Sequence, residues 1–190
     1  GLDIGDEKLT LPAKLELTEK DNEVFTVMDY IQGKDLGYFI QNEIRPEEKE
    51  IFLWLKQLCE VLVYLHSRKP VIIHNDIKPQ NIILRPEGSV CLVDFNVSFD
   101  KENKIIYGYS KRYASPELIQ SALAYQEGKG KDAIQIDERS DIYSLGATMY
   151  HLISGVKSMT GNDLPDLRSM DLPYSEELLR IISKAMNPLP

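Results

Sequence analysis

The sequence predicts a single domain with an α+β fold that is mainly α-helical and carries short β-hairpins. Two long segments have helical patterns, one after Pro46 and one over residues 141–154. Three short β-branched and apolar runs, at 71–73, 82–84 and 90–93, predict strands. A chain of 190 residues is long enough for one hydrophobic core and can bury ~70% of its unfolded surface.

The first strands are predicted near the N-terminus. Residues 13–17 alternate between apolar and polar side chains, residues 20–23 contain turn-forming types, and residues 24–27 continue as a second strand. Further along, Pro86, Gly88 and Ser89 form a good turn between the runs at 82–84 and 90–93. These segments therefore predict two β-hairpins.

The helices follow from spacing and end signals. Acidic residues after Pro46 suit a first helical turn, Pro70 ends the helix, and four leucines form an apolar core-facing stripe: Leu55, Leu58, Leu62 and Leu65. Residues 141–154 are apolar or small on nearly every face, which predicts a buried helix. Ser175 is expected to cap a final helix. We interpret residues 118–137 as a polar, solvated insert with a tip at 126–132, and residues 156–174 as loop.

One loop carries the chemistry. It reads His74-Asn75-Asp76-Ile77-Lys78-Pro79-Gln80-Asn81, and Asp94 follows eighteen residues after Asp76. Phosphoryl transfer needs a carboxylate to orient the attacking hydroxyl, a cation near the moving phosphoryl group, and oxygen ligands for magnesium. The loop and Asp94 supply all of these. The alternative is a hairpin whose acidic side chains are merely solvated.

This loop resembles the catalytic loop of eukaryotic-like Ser/Thr protein kinases, H-R-D-x-K-x-x-N, and Asp94-Phe95-Asn96 resembles their D-F-G motif. Residues 110–117 are similar to the end of the activation segment, with Ser115-Pro116-Glu117 in place of Ala-Pro-Glu. Residues 141–146 match the start of the central buried helix, and residues 27–31 look like the hinge beside adenine. The motifs stand in the family's order over residues 11–189.

The resemblance implies ATP and Mg²⁺ as cofactors and a protein substrate, and it assigns a role to each matching residue. Asp76 would accept the substrate hydroxyl proton, Lys78 would steady the transferring phosphate, and Ser110 would brace both. Two oxygen ligands, Asn81 and Asp94, would hold magnesium. The nucleotide would contact Met28, Asp29, Ile31, Asp35 and Ile83.

At three positions the sequence departs from the family pattern, and each departure predicts a difference in regulation, metal binding or substrate preference. Asn75 replaces an Arg that can clamp a phosphate, so activation by phosphorylation of this loop is not expected. Asn96 replaces the Gly of D-F-G and is expected to restrict flipping of Asp94 without abolishing metal binding. Gln80 stands where Glu is common, which does not support a preference for Arg-rich substrates.

The resemblance also predicts the domain organisation. Residues 1–30 are interpreted as a remnant of the small lobe with the hinge, and residues 31–190 as a large lobe cut before its C-terminal end. No Gly-rich loop or strand Lys precedes Met28, so we expect the fragment alone to bind nucleotide weakly and to turn over negligibly. A naturally short chain is the alternative. Asp141 is expected to accept backbone hydrogen bonds from the catalytic loop.

Composition narrows the classes of partner and compartment. The net charge is −8, which disfavours nucleic-acid and anionic membrane partners. No apolar run approaches the ~20 residues that span a bilayer. We expect Cys59 and Cys91 to be buried reduced thiols and the protein to be cytoplasmic. His66 and His151 are expected to be core or surface residues and not ligands, and the oligomeric state is not predicted.

Two other functions fit parts of the sequence. A pseudokinase, meaning a binding module without turnover, fits the departures at Asn75, Asn96 and Ser115. A small-molecule kinase of the aminoglycoside or choline type shares the H-x-D-x-x-x-x-N pattern, but Phe95 and the later motifs argue against it. The protein kinase is favoured because the sequence retains all four polar residues that phosphoryl transfer needs: Asp76, Lys78, Asn81 and Asp94.

Overall fold

The structure is a computed structural model that describes residues 15–20, 23–95, 99–100, 110–129, 136–156 and 164–187, with side chains from residue 29 onward except at 99–100. The described part is mixed α+β and mainly helical, as predicted. Its elements are β1 (Leu15–Lys20), β2 (Glu23–Met28), β3 (Lys34–Asp35), α1 (Leu36–Gln41), α2 (Glu48–His66), β4 (Ile72–Ile73), β5 (Ile82–Leu84), β6 (Val90–Leu92), β7 (Phe99–Asp100), α3 (Pro116–Gln126), α4 (Arg139–Ser154) and α5 (Glu176–Ala185). Two 3₁₀ turns cover Pro79–Asn81 and Leu167–Ser169.

All strand pairs in the described residues are antiparallel. β1 pairs with β2 and β4 pairs with β7, while β5 lies between β3 and β6 in a three-stranded sheet. In that sheet Asp35 is opposite Ile83, and Ile83 is opposite Cys91. The predicted hairpins at 13–27 and 82–93 are therefore confirmed by the β1–β2 and β5–β6 pairs, and the loop at residues 74–81 lies between β4 and β5.

Helix α2 is hydrogen-bonded to the β5–β6 hairpin, which follows the loop at residues 74–81. The Glu50 carboxylate accepts the Glu47 backbone N–H at 2.8 Å and so closes the first turn of the helix. Further along the helix, Trp54 Nε1 donates to Gly88 O at 3.3 Å, and the Gln57 side chain accepts from Val90 N at 2.9 Å. The turn and strand β6 are thus hydrogen-bonded to the helix as well as packed on it.

The predicted leucine stripe of α2 does face the core, where Leu58, Leu62 and Leu65 are buried and Leu55 is partly buried. The expectation for the two thiols is wrong at one position. Cys91 is buried in β6, but Cys59 is exposed, because it lies outside the face of α2 that Leu58 and Leu62 bury. An apolar neighbourhood in sequence does not fix the side of a helix on which a residue stands.

Helix α4 is the centre of the core, with all but three of its sixteen residues buried. Its apolar residues pack in one cluster with the buried faces of α2 and α5. The helix ends at Gly155, which adopts a left-handed conformation with φ of 69°. The central position of this buried helix agrees with the sequence prediction.

The expectation for residues 118–137 is corrected in its first part, because α3 is a helix. Ser115 caps it by accepting from Leu118 N at 3.3 Å, and Pro116 occupies its first turn. Leu118 and Ala122 face the core from this helix. Helix α1, which begins at the Asp35 cap, was not predicted either. Residues 156 and 164–174 contain only a short 3₁₀ turn, as the loop prediction requires.

We expect Gly146→Ala to destabilise the fold, because Gly146 allows α4 and α5 to approach closely. A Cβ on Gly146 would lie 2.9 Å from both Ala185 Cβ and Met186 Cγ. Relieving that overlap should cost about 1–3 kcal/mol in the free energy of unfolding, measured by urea titration. Alanine is intrinsically favoured over glycine inside a helix, so unchanged or raised stability in Gly146→Ala would contradict the packing explanation.

In the part of the chain that the structure describes, no helix combines the length and the apolar composition needed to cross a bilayer.

Candidate functional site

Asp76 lies at the centre of a hydrogen-bonded cluster in the loop between β4 and β5. Its Oδ2 accepts from Lys78 Nζ at 2.5 Å and from Asn81 Nδ2 at 3.0 Å. The residue is buried, and within the described structure its other oxygen, Oδ1, is buried without a hydrogen-bond partner. A buried carboxylate oxygen without a partner is costly unless a further donor reaches it. Among the described residues, Oδ1 is thus the oxygen of Asp76 that lacks a donor.

Lys78 joins this cluster to the segment that precedes α3. Its Nζ donates to Ser110 Oγ at 3.0 Å as well as to Asp76. Ser110 in turn accepts Tyr113 N at 2.8 Å and Ala114 N at 3.1 Å through its backbone carbonyl. The structure thus brings together all three predicted catalytic residues, and the ammonium group is fixed by two partners.

Asn81 and Asp94 are brought close by a backbone hydrogen bond, in which Val93 N donates to Asn81 O at 2.9 Å. The amide nitrogen of Asn81 donates to Asp76 O at 2.9 Å and to Asp76 Oδ2, so its carbonyl oxygen is the side-chain atom left for a cation. Asp94 adopts a left-handed conformation with φ of 66°. Two oxygen donors fit Mg²⁺, which commonly takes one or two protein oxygens together with phosphates and water.

Among the described residues there is no group of three or more His, Cys, Asp or Glu side chains suited to holding a metal ion.

His74 connects the catalytic loop with the strand that delivers Asp94. Its Nδ1 accepts the Asp76 N–H at 3.3 Å, so Nε2 carries the proton of the neutral ring and donates to Val93 O at 3.2 Å. The ring also packs edge-on against Phe95, with 4.7 Å between centroids. Burial lowers the pKa of His74, which keeps the ring neutral. His74 therefore packs within the loop, as its sequence position predicts.

Asp141, at the start of α4, is hydrogen-bonded to the backbone of the same loop. Its Oδ2 accepts His74 N and its Oδ1 accepts Asn75 N, both at 2.9 Å. The carboxylate is fully buried, and these backbone donors satisfy it as expected. Sequence reasoning missed its third partner, His66 at the end of α2, whose Nε2 lies 2.9 Å from Oδ2. Nothing in the local sequence around His66 signals a contact across 75 positions.

The predicted nucleotide-binding residues lie in the three-stranded sheet and in the connection that precedes it. Asp35 and Ile83 are cross-strand partners, and Ile31 is half-buried in the connection from β2 to β3, whereas Asp29 is exposed. A Cβ on Gly33 would lie 2.7 Å from Ile83 Cγ2, so this connection lies directly against β5. The Met28 side chain, like Asn96, lies outside the described residues.

Asp35 has a structural partner that the sequence did not indicate. Its Oδ1 accepts Tyr38 N at 3.1 Å and caps α1, which leaves one carboxylate oxygen for a ligand. The structure therefore brings Asp76, Lys78, Asn81 and Ser110 into one cluster. Asp94 directly follows Val93, whose N–H donates to Asn81 O, and Asp35 and Ile83 lie on the adjoining sheet.

Comparison with known proteins accounts for this arrangement. A sequence model of the protein kinase domain matches residues 13–188. The chain belongs to the protein kinase domain family. It is similar to the serine/threonine-protein kinase cds1 of Schizosaccharomyces pombe, with 31% identity over 148 residues that make up 73% of this chain and 29% of that protein. It is also similar to Aurora kinase A-B of Xenopus laevis, with 31% identity over 134 residues, 70% of this chain and 29% of that protein.

This kinase domain spans less than a third of the length of each of those two relatives. The shared region contains the cluster described above, since it lies within residues 13–188. Family membership thus accounts for the loop between β4 and β5 and for the strand that carries Asp94.

Two departures of this kinase domain from the family pattern can be located. Asn75 adopts φ of 64°, its side chain is buried, and neither of its amide atoms has a hydrogen-bond partner among the described residues. Ser115, in place of the usual Ala, forms a hydroxyl pair with Ser140 of α4 at 2.7 Å. Sequence reasoning noted the substitution but could not foresee its partner.

Tyr113 is a further residue of the kinase domain that sequence reasoning did not single out. Its hydroxyl lies 2.7 Å from His151 Nδ1, and the two rings stack with centroids 6.0 Å apart. Burial raises the pKa of Tyr113 to about 12, so the phenol stays protonated and can donate to the imidazole. The segment between Ser110 and Pro116 is therefore attached to α4 by two side-chain hydrogen bonds.

Proposed function

We propose that this kinase domain transfers the terminal phosphoryl group of ATP, in the presence of Mg²⁺, to Ser or Thr hydroxyls of protein substrates. The observation that carries the proposal is the contact of the Asp76 carboxylate with the Lys78 ammonium group and the Asn81 amide. Phosphoryl transfer requires an acceptor for the hydroxyl proton and a cation near the transferring group, and both are within one cluster.

Each residue of the cluster has a role in this proposal. Asp76 orients the substrate hydroxyl and accepts its proton, while Lys78, held by Ser110, offsets charge on the transferring group. The Asn81 carbonyl oxygen and the Asp94 carboxylate would hold the metal ion, which would neutralise charge on the phosphates. Backbone groups of Asp29 and Ile31 would hydrogen-bond adenine. Met28 would lie at the back of the pocket, Ile83 beneath the ring and Asp35 near the ribose.

The domain assignment and the acceptor class belong to the same proposal. Residues 1–30 form part of the small lobe and the hinge, and residues 31–190 belong to the large lobe. Lys78 followed by Pro79 resembles the Ser/Thr-directed kinases, and the cds1 relative is named a serine/threonine-protein kinase. These two points support Ser/Thr over Tyr as the acceptor.

The test is a phosphotransfer assay on the protein at its natural length. Incubation with γ-labelled ATP, Mg²⁺ and a general protein acceptor should label Ser and Thr, and chelation of Mg²⁺ should remove the label. Nucleotide binding without any transfer would favour the pseudokinase alternative. Label on an aminoglycoside or choline, but not on protein, would favour the small-molecule kinase.

We expect Asp94→Ala to weaken Mg²⁺-dependent ATP binding by more than about tenfold, equivalent to ~1.4 kcal/mol, because the substitution removes one of two protein oxygens for the metal. Titration calorimetry with and without Mg²⁺ measures this directly. Asp171→Ala is the matched control, since it removes an exposed carboxylate outside the cluster. Unchanged affinity in Asp94→Ala would remove Asp94 from the metal site.

A further inference from the structure

Helix α4 contacts the catalytic loop at a second point, beyond Asp141. Thr148 Oγ1 donates to the backbone carbonyl of Ile77 at 3.3 Å. Thr148 is fully buried and Ile77 is 1% exposed, so water does not compete for either group. A hydroxyl in an otherwise apolar stretch of core is costly unless it has a partner, and the Ile77 carbonyl is that partner.

The two contacts of α4 lie on either side of the catalytic carboxylate. Asp141 accepts the N–H groups of His74 and Asn75, which precede Asp76. Thr148, two helical turns or about 10.5 Å further along α4, donates to the carbonyl that follows Asp76. Because the helix is rigid and buried, it fixes the distance between the two ends of this short stretch of loop.

The Ile77 carbonyl is covalently linked to the backbone of Lys78, a residue of the proposed phosphotransfer site. It belongs to the planar peptide group that joins Ile77 to Lys78, so holding its oxygen fixes the plane from which the Lys78 side chain starts. Lys78 Nζ must reach both Asp76 and Ser110 from that plane. Among the hydrogen bonds of the described residues, the Thr148 hydroxyl is the donor that reaches this carbonyl.

We propose that Thr148 is a positioning residue for phosphoryl transfer, which acts through the Ile77–Lys78 peptide to set the geometry of Lys78 and Asp76. The inference rests on the proposed function, since it concerns the rate of that reaction. We therefore expect loss of the Thr148 hydroxyl to lower kcat and to leave ATP binding unchanged, because its hydrogen bond is to the loop backbone.

The test is a graded series of variants at this position in the natural-length protein. Thr148→Ser keeps the hydroxyl, Thr148→Cys has a weaker donor, and Thr148→Val replaces the hydroxyl with a methyl group of similar shape. We expect kcat to fall by about 10- to 100-fold in Thr148→Val, because small displacements of catalytic groups cost rates of this order. Thr148→Cys should fall in between, Thr148→Ser should stay within about threefold of wild type, and the KM for ATP should stay within about threefold throughout.

A second measurement separates this inference from the proposed function. Amide hydrogen exchange of a peptide covering 74–81 should accelerate in Thr148→Val and Thr148→Cys but not in Thr148→Ser, whether or not the protein is active. If the wild-type protein shows no phosphotransfer, the proposed function is wrong, but hydrogen exchange still tests the effect of Thr148 on the loop. Wild-type kcat in Thr148→Val, or equal losses in the Ser and Cys variants, would overturn the positioning role. If Thr148→Val does not fold, the comparison of Ser with Cys decides.

Discussion

Asp76→Ala is expected to lower kcat by about 10²- to 10⁴-fold, which is the usual contribution of a positioned acid or base. The substitution removes the proposed proton acceptor, and it also releases Lys78 and Asn81 from Asp76 Oδ2. The affinity for ATP should change little, because Asp76 is not among the nucleotide or metal ligands of the proposal and Asn81 keeps its hydrogen bond to the Asp76 backbone carbonyl. Steady-state kinetics with varied ATP and varied protein acceptor separate the two effects.

Asp171→Ala is the control for removing one negative charge, and it should leave kcat unchanged because Asp171 is exposed and outside the cluster. A kcat in Asp76→Ala that is comparable to wild type would rule out Asp76 as the base. A large loss of ATP affinity with little change in kcat would instead place Asp76 in nucleotide binding.

Asp141→Ala is expected to have the largest effect on stability. It leaves the buried N–H groups of His74 and Asn75 without their acceptors, at about 1–3 kcal/mol each, and it removes the partner of His66. We therefore expect the free energy of unfolding to fall by about 2–6 kcal/mol in urea titrations. Near-complete loss of phosphotransfer should accompany it, because the backbone before Asp76 loses its anchor.

Asp141→Asn tests whether the effect on stability comes from the carboxylate acceptors of Asp141 or from the shape of its side chain. The amide keeps one acceptor oxygen but turns an NH₂ group toward one of the two backbone donors, so a smaller loss than in Asp141→Ala is expected. If both variants are as stable as wild type, the hydrogen bonds of Asp141 do not hold the loop. Asp171→Ala again provides the reference for an exposed aspartate.

Much of the fold and the site could be predicted because the relevant signals are local. The spacing of leucines in α2 and the apolar composition of α4 identify buried helices directly. The loop from His74 to Asn81 holds most of its chemistry within eight consecutive positions, and Asp94 follows a short strand. Family resemblance then supplied the roles, and the structure places Lys78 in contact with both Asp76 and Ser110.

The features that sequence reasoning missed depend on distant contacts. His66 and His151 were expected to be ordinary core or surface histidines, yet each has a partner far away in the chain, in Asp141 and Tyr113. Helix α3 was taken for a solvated insert, because its polar residues hide a buried face formed by Leu118 and Ala122. The outward position of Cys59 depends on which face of α2 meets the core. None of these facts is encoded within a short window of sequence.

The contact between Asp141 and His74 joins residues 67 positions apart. A ribosome that adds about 5–20 residues per second needs roughly 3–13 s to extend the chain from one to the other. During that interval the N–H groups of the nascent loop can bond only to water or to transient partners. The loop can thus reach its final geometry only after α4 has been synthesised and has emerged from the ribosome.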